Sequence, residues 1–175
     1  IGHFKQVAVD QSSARRRVFD LRQTVEEMLS ALRLSFKHSP HRIDVDIPAG
    51  LLMDSYPGPL EQVIANLVGN ALSHGLAGIE GGRIQLQALV AGETQVLLYC
   101  RDDGVGMPPA TLKRIFEPFF TTRLGQGGSG LGLYIVYNLV TGVLGGTIEV
   151  DSTPGKGSSF TLSLPRSAPE RGAAE

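Results

Sequence analysis

Two asparagines stand on one side of a stretch with helical apolar spacing, LEQVIANLVGNALSHG (60–75). Asn66 and Asn70 are four residues apart, about 40° around a helix and one turn along it. Because asparagine is a poor helix former, two of them on one face need a reason. Amide oxygens suit Mg²⁺, which prefers oxygen ligands and often sits on substrate phosphates. Gln62 and His74 extend the same line, and a solvated polar face is the alternative interpretation.

Two adjacent aspartates and two spaced glycines follow an apolar run in RDDGVGMP (101–108). A carboxylate at the end of a buried strand can accept a hydrogen bond from an exocyclic amine such as that of adenine. Gly104 and Gly106 would let the backbone pass close to a flat ring. A plain turn after a strand explains the same pattern, so this motif alone leaves both interpretations open.

Five glycines in GQGGSGLG (125–132) precede another apolar helical stretch. Backbone N–H groups at a helix N-terminus attract anions, so this loop is suited to phosphates. It lacks the G-x-x-x-x-G-K-[ST] order of a P-loop, and no strand leads directly into it as in a Rossmann fingerprint. A flexible linker is the alternative.

Hydrophobic spacing predicts the elements that must position these residues. Strands are expected over 17–21, 42–48, 50–56, 82–90, 94–101, 146–152 and 157–165, and helices over 22–37, 59–74 and 130–144. The order is not a strict alternation of strands and helices. We therefore predict an α+β sandwich in which a mixed sheet carries helices on one face.

Length and composition limit the classes of protein to which this chain can belong. The 175 residues are 42% hydrophobic, which suits one domain. A net charge of −1 provides no global field for nucleic acid, so we expect no nucleic-acid partner. Cys100 is the only cysteine and lies in an apolar run, which favours a core thiol in a reducing compartment. No stretch approaches 18 uninterrupted apolar residues, and we expect a cytoplasmic domain.

Taken in order, the motifs resemble the ATP-binding catalytic domain of sensor histidine kinases. This group lies in the Bergerat superfamily, together with gyrase, a heat-shock chaperone and mismatch-repair ATPases. The resemblance covers about residues 18–165. NLVGNALSHG resembles the N box, DDGVGMP the first glycine box, IFEPFFTTR the F box and GGSGLGL the second glycine box. The F box is the most diagnostic, because it favours histidine kinases over the other branches.

The resemblance implies a Bergerat-type α/β sandwich that binds ATP and Mg²⁺ under a mobile lid, residues 109–129. Asn70 would be the metal ligand, Asp102 would bind the adenine amine, and Phe119 with Phe120 would anchor the lid. Asn66 and Arg123 are the implied catalytic residues. The implied nucleotide-binding set is Asn66, Asn70, Ser73, His74, Asp102, Gly104, Gly106, Met107, Phe120, Thr121, Thr122, Arg123, Gly128, Gly130, Leu131, Gly132, Leu133 and Ser158.

Three positions depart from the family pattern. Ser73 replaces a frequent lysine, which removes one phosphate contact. Asp103 replaces the usual asparagine and adds a negative charge near the pocket. Ser158 stands where threonine is usual and keeps the hydroxyl.

The resemblance also bears on what happens to the ATP. The ATPase branches have a glutamate, as a base for water, where this chain has Asn66. Glu61 is no substitute, because nine residues from Asn70 place it about 180° around the helix. We therefore expect ATP to be held without hydrolysis.

Domain boundaries and partners follow from the same resemblance. Residues 1–16 resemble the end of a dimerisation and phosphoacceptor helix with its linker, residues 17–165 form the catalytic domain, and residues 166–175 are expected to be a disordered tail. None of the four histidines is followed by an acidic residue, as an acceptor motif requires. The acceptor is therefore expected on the dimerisation domain, which is absent from this chain.

The predicted function is transfer of the γ-phosphoryl group of ATP to that histidine, for relay to a response-regulator receiver domain. We expect a homodimeric parent protein, for which an inner-membrane anchor is left open, and a monomeric fragment. The main alternative is a nucleotide-binding regulatory module without phosphotransfer. A stand-alone hydrolase of the same fold is a third alternative, against which Asn66 argues.

Overall fold

The computed structural model describes residues 14–123 and 128–171. Its strands are β1 (Arg17–Asp20), β2 (Arg42–Asp46), β3 (Leu52–Ser55), β4 (Arg83–Ala91), β5 (Gln95–Asp102), β6 (Thr147–Thr153) and β7 (Gly157–Pro165). Its helices are α1 (Leu21–Arg33), α2 (Pro57–Asn70), α3 (Pro109–Leu112) and α4 (Gly132–Gly142). Among the described residues, no helix is long and apolar enough to cross a membrane.

Five strands form one mixed sheet in the order β2-β4-β5-β7-β6. The β2–β4 pair is parallel, and the three pairs that follow are antiparallel. A separate two-stranded antiparallel sheet pairs β1 with β3. The helices pack on one face of the five-stranded sheet, so the predicted α+β architecture is confirmed.

The core lies between the helices and the inner face of the sheet. Strand alternation sends Val96, Leu98 and Cys100 of β5 inward, whereas the intervening residues face out. Burial raises the pKa of the Cys100 thiol to about 12, as fits a packed core cysteine. Strand β5 contacts α2 and the turn that follows it.

Helix α2 is the central helix of the domain. Two prolines in its first turn suit a helix N-terminus, and its apolar residues, among them Leu60, Ile64 and Leu67, are fully buried. The helix was expected to continue to residue 74. Instead it passes into one π-helical turn, Ala71–Gly75, which is closed by a 2.7 Å bond from Leu76 N–H to Ala71 C=O. This wider turn carries Gly75 toward the end of β5.

The segment after β7, residues 166–171, packs on the domain. Ala168 is buried, and its N–H donates to Asp54 C=O at 2.8 Å. Asp54 N–H in turn donates to Arg166 C=O at 2.7 Å. Residues 166–171 of the expected tail are thus bound at the edge of β3, which composition alone did not reveal, and residues 172–175 lie outside the described residues.

Candidate functional site

Asn66 and Asn70 both lie on α2, half-buried and one turn apart, as the spacing predicted. Asn70 faces the first turn of α4: a Cβ built on Gly132 would lie 3.8 Å from the Asn70 amide oxygen. Within residues 14–123 and 128–171, neither asparagine side chain has a hydrogen-bond partner. The Asn70 amide is therefore free to bind a ligand at the N-terminus of α4, and Asn66 lies one turn earlier on α2.

Asp102 is the last residue of β5 and is half-buried. Its Oδ1 accepts a 3.0 Å bond from Gly104 N–H, and the backbone N–H of Ser158 also donates to its carboxylate. Burial raises the pKa of the Asp102 carboxyl, the two backbone bonds lower it in part, and the negative charge of Asp103 raises it further. The carboxylate is thus fixed in place while part of its acceptor capacity remains unused.

The first glycine box packs directly on the π-helical turn. A Cβ on Gly104 would overlap the carbonyl oxygen of Gly75, and that oxygen accepts a 2.8 Å bond from Val105 N–H. A Cβ on Gly75 would lie 2.9 Å from Oδ1 of Asp102. Gly75 was not among the predicted site residues, although its place at the end of the asparagine helix was a usable signal.

The hairpin formed by β6 and β7 closes the other side of the glycine box. Gly106 has a φ of 67°, and a Cβ there would overlap the carbonyl oxygen of Thr153. Ser152 Oγ accepts a 2.8 Å bond from Met107 N–H and lies 2.8 Å from Ser158 Oγ. Ser158 is buried in the register position opposite Asp102. Ser152 was not predicted, because its role depends on hairpin register.

The F box follows α3 and is only partly an exposed loop. Ile115 is buried, and Phe116 packs on the core with its ring 5.6 Å from that of Tyr137. Phe120 is half-buried beneath the Arg114 guanidinium, 4.5 Å away. Phe119 is 73% exposed, so Ile115 and Phe120, rather than Phe119, hold this segment down.

The F box meets the second glycine box at Phe119. Phe119 has a φ of 64°, and a Cβ on Gly130 would contact the Phe119 backbone at 2.5 Å. Leu131 precedes α4, Gly132 begins it, and Leu133 packs against the core. Leu124, Gly125, Gln126 and Gly127 lie outside the described residues.

His74 and Arg123 lie close enough to interact. Burial lowers the pKa of the His74 imidazole, and the positive Arg123 lowers it further. The backbone N–H of Arg123 donates to Thr121 Oγ1 at 3.0 Å, whereas Thr122 is exposed. Arg123 therefore places a positive charge near His74, in the turn that follows α2.

The structure also shows the surroundings of Glu61 and of two positions that depart from the family pattern, Ser73 and Asp103. Ser73 donates its hydroxyl to Gly69 C=O at 2.8 Å and is exposed. Asp103 Oδ1 accepts Arg83 N–H at 2.8 Å, so its side chain binds the start of β4 while its charge still acts on the neighbouring carboxylate. Glu61 is half-buried, and burial raises the pKa of its carboxyl. Arg17 of β1 lowers this pKa and Glu27 of α1 raises it.

Among the residues the structure describes, no group of three or more His, Cys, Asp or Glu side chains is arranged to hold a metal ion. The Asn70 amide oxygen lies 3.8 Å from a Cβ built on Gly132, the first residue of α4. One such oxygen fits a cation that receives its other ligands from water and a phosphorylated ligand.

Comparison with known proteins agrees with this geometry. The model of the family described as "Histidine kinase-, DNA gyrase B-, and HSP90-like ATPase" matches residues 56–168. The two-component sensor PprA of Pseudomonas aeruginosa is 38% identical over 135 residues, 74% of this chain and 14% of PprA. The chain therefore spans a small part of the length of this relative.

Solved structures show the same fold. The nucleotide-free catalytic domain of the histidine kinase ThkA is 25% identical with a TM-score of 0.76, covering 87% of this chain and 97% of that domain. Full-length ShkA in complex with AMPPNP is 25% identical with a TM-score of 0.73, covering 89% of this chain and 32% of ShkA. The resemblance to sensor histidine kinase catalytic domains is thus confirmed, and the chain belongs to the family of histidine kinase-, DNA gyrase B- and HSP90-like ATPases.

Proposed function

We propose that this domain binds Mg-ATP and transfers its γ-phosphoryl group to a histidine on a dimerisation domain outside this chain. The observation that supports the proposal best is the convergence of two groups of different chemistry. A partly buried carboxylate, Asp102, lies beside the first glycine box, and the Asn70 amide, which has no hydrogen-bond partner among the described residues, faces the N-terminus of α4 one turn after Asn66. An adenine amine suits the carboxylate, and phosphates suit the helix N-terminus.

The residues present fit a magnesium ion that accompanies the phosphates. The Asn70 amide oxygen would hold it, and when bound it would neutralise charge on the phosphate oxygens. The chain's own contribution is positioning. Asp102 orients the base, backbone N–H groups of residues 130–133 receive the phosphates, and Arg123 adds a positive charge near them.

The site favours transfer to a delivered acceptor over hydrolysis. Asn66 stands one turn before Asn70, where a base for water would be needed, and an amide takes no proton near neutral pH. Glu61 cannot replace it, because nine residues from Asn70 place it about 180° around the helix, where the charges of Arg17 and Glu27 act on its carboxyl. Without a base, an acceptor such as a histidine imidazole, which is itself a nucleophile, is the better partner for this site.

The partners proposed for the domain follow from its relatives. PprA is named a two-component sensor. By analogy, the acceptor histidine would lie on the dimerisation domain of a homodimeric parent protein, and a response-regulator receiver domain would take the phosphoryl group next. We propose a cytoplasmic location for the domain, because ATP is available there. A regulatory module that binds nucleotide without transfer remains the alternative function.

Labelling with γ-labelled ATP separates these functions. This domain alone should neither release phosphate at a useful rate nor acquire acid-labile phosphate. Addition of the parent's dimerisation domain should give acid-labile labelling of that domain, and Asn70→Ala should reduce the labelling. Asp151→Ala is the control, because Asp151 is an exposed carboxylate on β6. Labelling of His3, His38, His41 or His74 in the fragment would contradict the proposal, and no labelling of the added domain would favour the regulatory module.

A further inference from the structure

Arg16 directly precedes β1, and its guanidinium group contacts three side chains. It donates to Ser167 Oγ at 2.7 Å and forms ion pairs with Asp54 at 3.1 Å and Glu170 at 3.3 Å. Asp54 belongs to β3, whereas Ser167 and Glu170 belong to the C-terminal segment, residues 166–171. We call these contacts the Arg16 clasp. The clasp holds the chain at the point where it enters the domain.

The C-terminal segment is itself bound by contacts that do not involve Arg16. Asp54 N–H donates to Arg166 C=O at 2.7 Å, and Ala168 N–H donates to Asp54 C=O at 2.8 Å. The hydroxyl of Tyr56, the residue before α2, donates to Pro169 C=O at 3.1 Å. Ala168 and Tyr56 are both buried. The segment therefore stays in place whether the clasp is closed or open.

The clasp, in contrast, is a weak contact. The side chains of Asp54 and Glu170 are 43% and 87% exposed, and exposed ion pairs add little to stability. Arg16 Nε is buried and has no hydrogen-bond partner among the residues that the structure describes. A buried donor without a partner costs free energy, and that cost disappears when the guanidinium moves into water. The closed clasp is therefore only slightly favoured, as suits a contact that opens and closes.

The clasp lies far from the proposed nucleotide site. Tyr56 precedes α2 and Asn70 ends it, and the 14 residues of this helix span about 21 Å. Helix α4 starts at Gly132, beside Asn70, and a Cβ on Gly145, beyond its other end, would lie 2.5 Å from Pro169 Cδ. Both helices thus run from the proposed site to the C-terminal segment. Opening the clasp frees the entering chain without touching a bound nucleotide.

We propose that Arg16 is a positioning residue for phosphoryl transfer: the closed clasp fixes the direction in which this domain is joined to the dimerisation domain. The proposal rests on the proposed function and deepens it. In the transfer, the lone pair of an imidazole nitrogen attacks the γ-phosphorus, and the bond to the β–γ bridging oxygen breaks. ADP leaves with that electron pair, and the other imidazole nitrogen keeps its proton. Because attack must be in line, a domain with more orientations makes fewer productive encounters.

The test compares two arrangements of the same parts. In the linked arrangement, the parent protein carries the dimerisation domain and this domain in one chain, and in the separated arrangement they are added as two proteins. Acid-labile labelling from γ-labelled ATP gives the rate in each. Arg16→Ala should lower the linked rate about three- to tenfold at saturating Mg-ATP with an unchanged KM, because orientation is lost and binding is kept. The separated rate should not change.

Matched variants separate the clasp from the charge and from the segment. Arg15→Ala is the control, because Arg15 is the neighbouring exposed arginine and has no partner among the described residues. Asp54→Asn combined with Ser167→Ala removes two acceptors of the clasp and keeps the backbone bonds of Asp54 to the C-terminal segment. This pair should lower the linked rate as Arg16→Ala does. Adding Arg16→Ala to it should cause little further loss.

The outcomes separate the inference from the function on which it rests. If the wild-type linked protein acquires no acid-labile label, the proposed function fails. If it is labelled and Arg16→Ala leaves the linked rate unchanged or raises it, the inference is overturned while the function stands. An equal loss in the linked and separated arrangements would also overturn it, because the role of Arg16 would then be structural. Should Arg16→Ala not fold, the combination of Asp54→Asn and Ser167→Ala decides by the same criteria.

Discussion

The environment of Asp102 suits a ligand-binding carboxylate but lowers the stability of the ligand-free domain at neutral pH. Desolvation raises the pKa of its carboxyl, and Asp103 adds to this, whereas two backbone N–H groups compensate only in part. A group whose folded-state pKa is raised stabilises the fold below its unfolded pKa, and that contribution is lost as the pH rises through the folded value. At neutral pH the ionised Asp102 therefore destabilises the ligand-free domain, as expected for a binding residue.

Asp102→Asn should raise the stability of the ligand-free domain at pH 7. The amide oxygen can still accept from Gly104, and the desolvated charge is gone. Thermal unfolding should show a higher Tm for the variant at pH 7 and a shrinking difference as the pH falls toward about 4, the usual pKa of an aspartate. Nucleotide affinity should fall in the same variant. A variant that is less stable than the wild type at pH 7 would show that the carboxylate is structural.

Single residues were predictable where one motif carried the chemistry. The positions of Asp102 at the end of β5 and of Asn70 on α2 follow from nearby sequence and are confirmed, whereas their roles in binding come from the resemblance and stay predictions. Ser152 was missed because its contacts require the pairing of β6 with β7 and the approach of Met107. The expectation for Phe119 did not hold, because a positive φ at that residue turns its ring outward, and no sequence pattern indicated that turn.

At the scale of elements, the site depends on the close approach of backbones. The first glycine box lies between the π-helical turn and the hairpin, and Gly104 contacts the carbonyl of Gly75. Helix α4 begins at Gly132, and the Asn70 amide lies within van der Waals contact of a Cβ built there. These approaches explain why glycines cluster here despite their entropic cost on folding.

Gly104→Ala should disturb both the fold and the site. The added methyl would overlap the backbone oxygen of Gly75, which cannot move without the helix, so the domain should lose about 1–3 kcal/mol of unfolding free energy. Gly142→Ala is the matched control, because no atom lies within 4 Å of a Cβ there. Urea unfolding should show that variant unchanged or more stable by up to about 1 kcal/mol. Equal stability of the two variants would contradict the packing described here.

Element types were predictable from periodicity, and element ends were less so. All seven strands and the three long helices lie where alternation and helical spacing placed them. Helix α1 ends at Arg33, four residues before the predicted end, since Leu34 and the residues after it leave the core. The π-helical turn at 71–75 could not be predicted, because it is accompanied by a tertiary hydrogen bond, from Val105 N–H to Gly75 C=O.

For the whole molecule, the C-terminal segment joins distant parts of the chain. Residues 166–171 cover the edge of β3, and the hydroxyl of Tyr56 donates to Pro169 C=O at 3.1 Å. Arg16, before β1, binds Asp54 at 3.1 Å and Ser167 at 2.7 Å. The segment therefore ties the start of the domain to its end, and covering a free strand edge also guards against edge-to-edge pairing.

A chain that ends at Pro165 should be less stable than the full chain. It loses the backbone bonds of Arg166 and Ala168 to Asp54 and the burial of Ala168, a loss of about 2–4 kcal/mol. Urea unfolding measures the difference. Glu170→Ala is the control, because its 87% exposed side chain contributes at most a surface ion pair with Arg16. If the shortened chain unfolds at the same urea concentration as the full chain, the segment does not stabilise the domain.

Mg-ATP is proposed to bind between the first glycine box and the N-terminus of α4, with Asp102 on the base. Hydrogen exchange of the domain with and without Mg-ATP, at a concentration that half-saturates the wild type, tests it most directly. Exchange should slow in residues 102–107 and 128–133 and around Asn70, and remain unchanged in β2. Asp151→Ala should behave like the wild type. Asp102→Ala should lose most of the protection, because it removes a bond worth about 1.5–3 kcal/mol. Unchanged exchange in these segments, or equal protection in Asp102→Ala, would contradict the account.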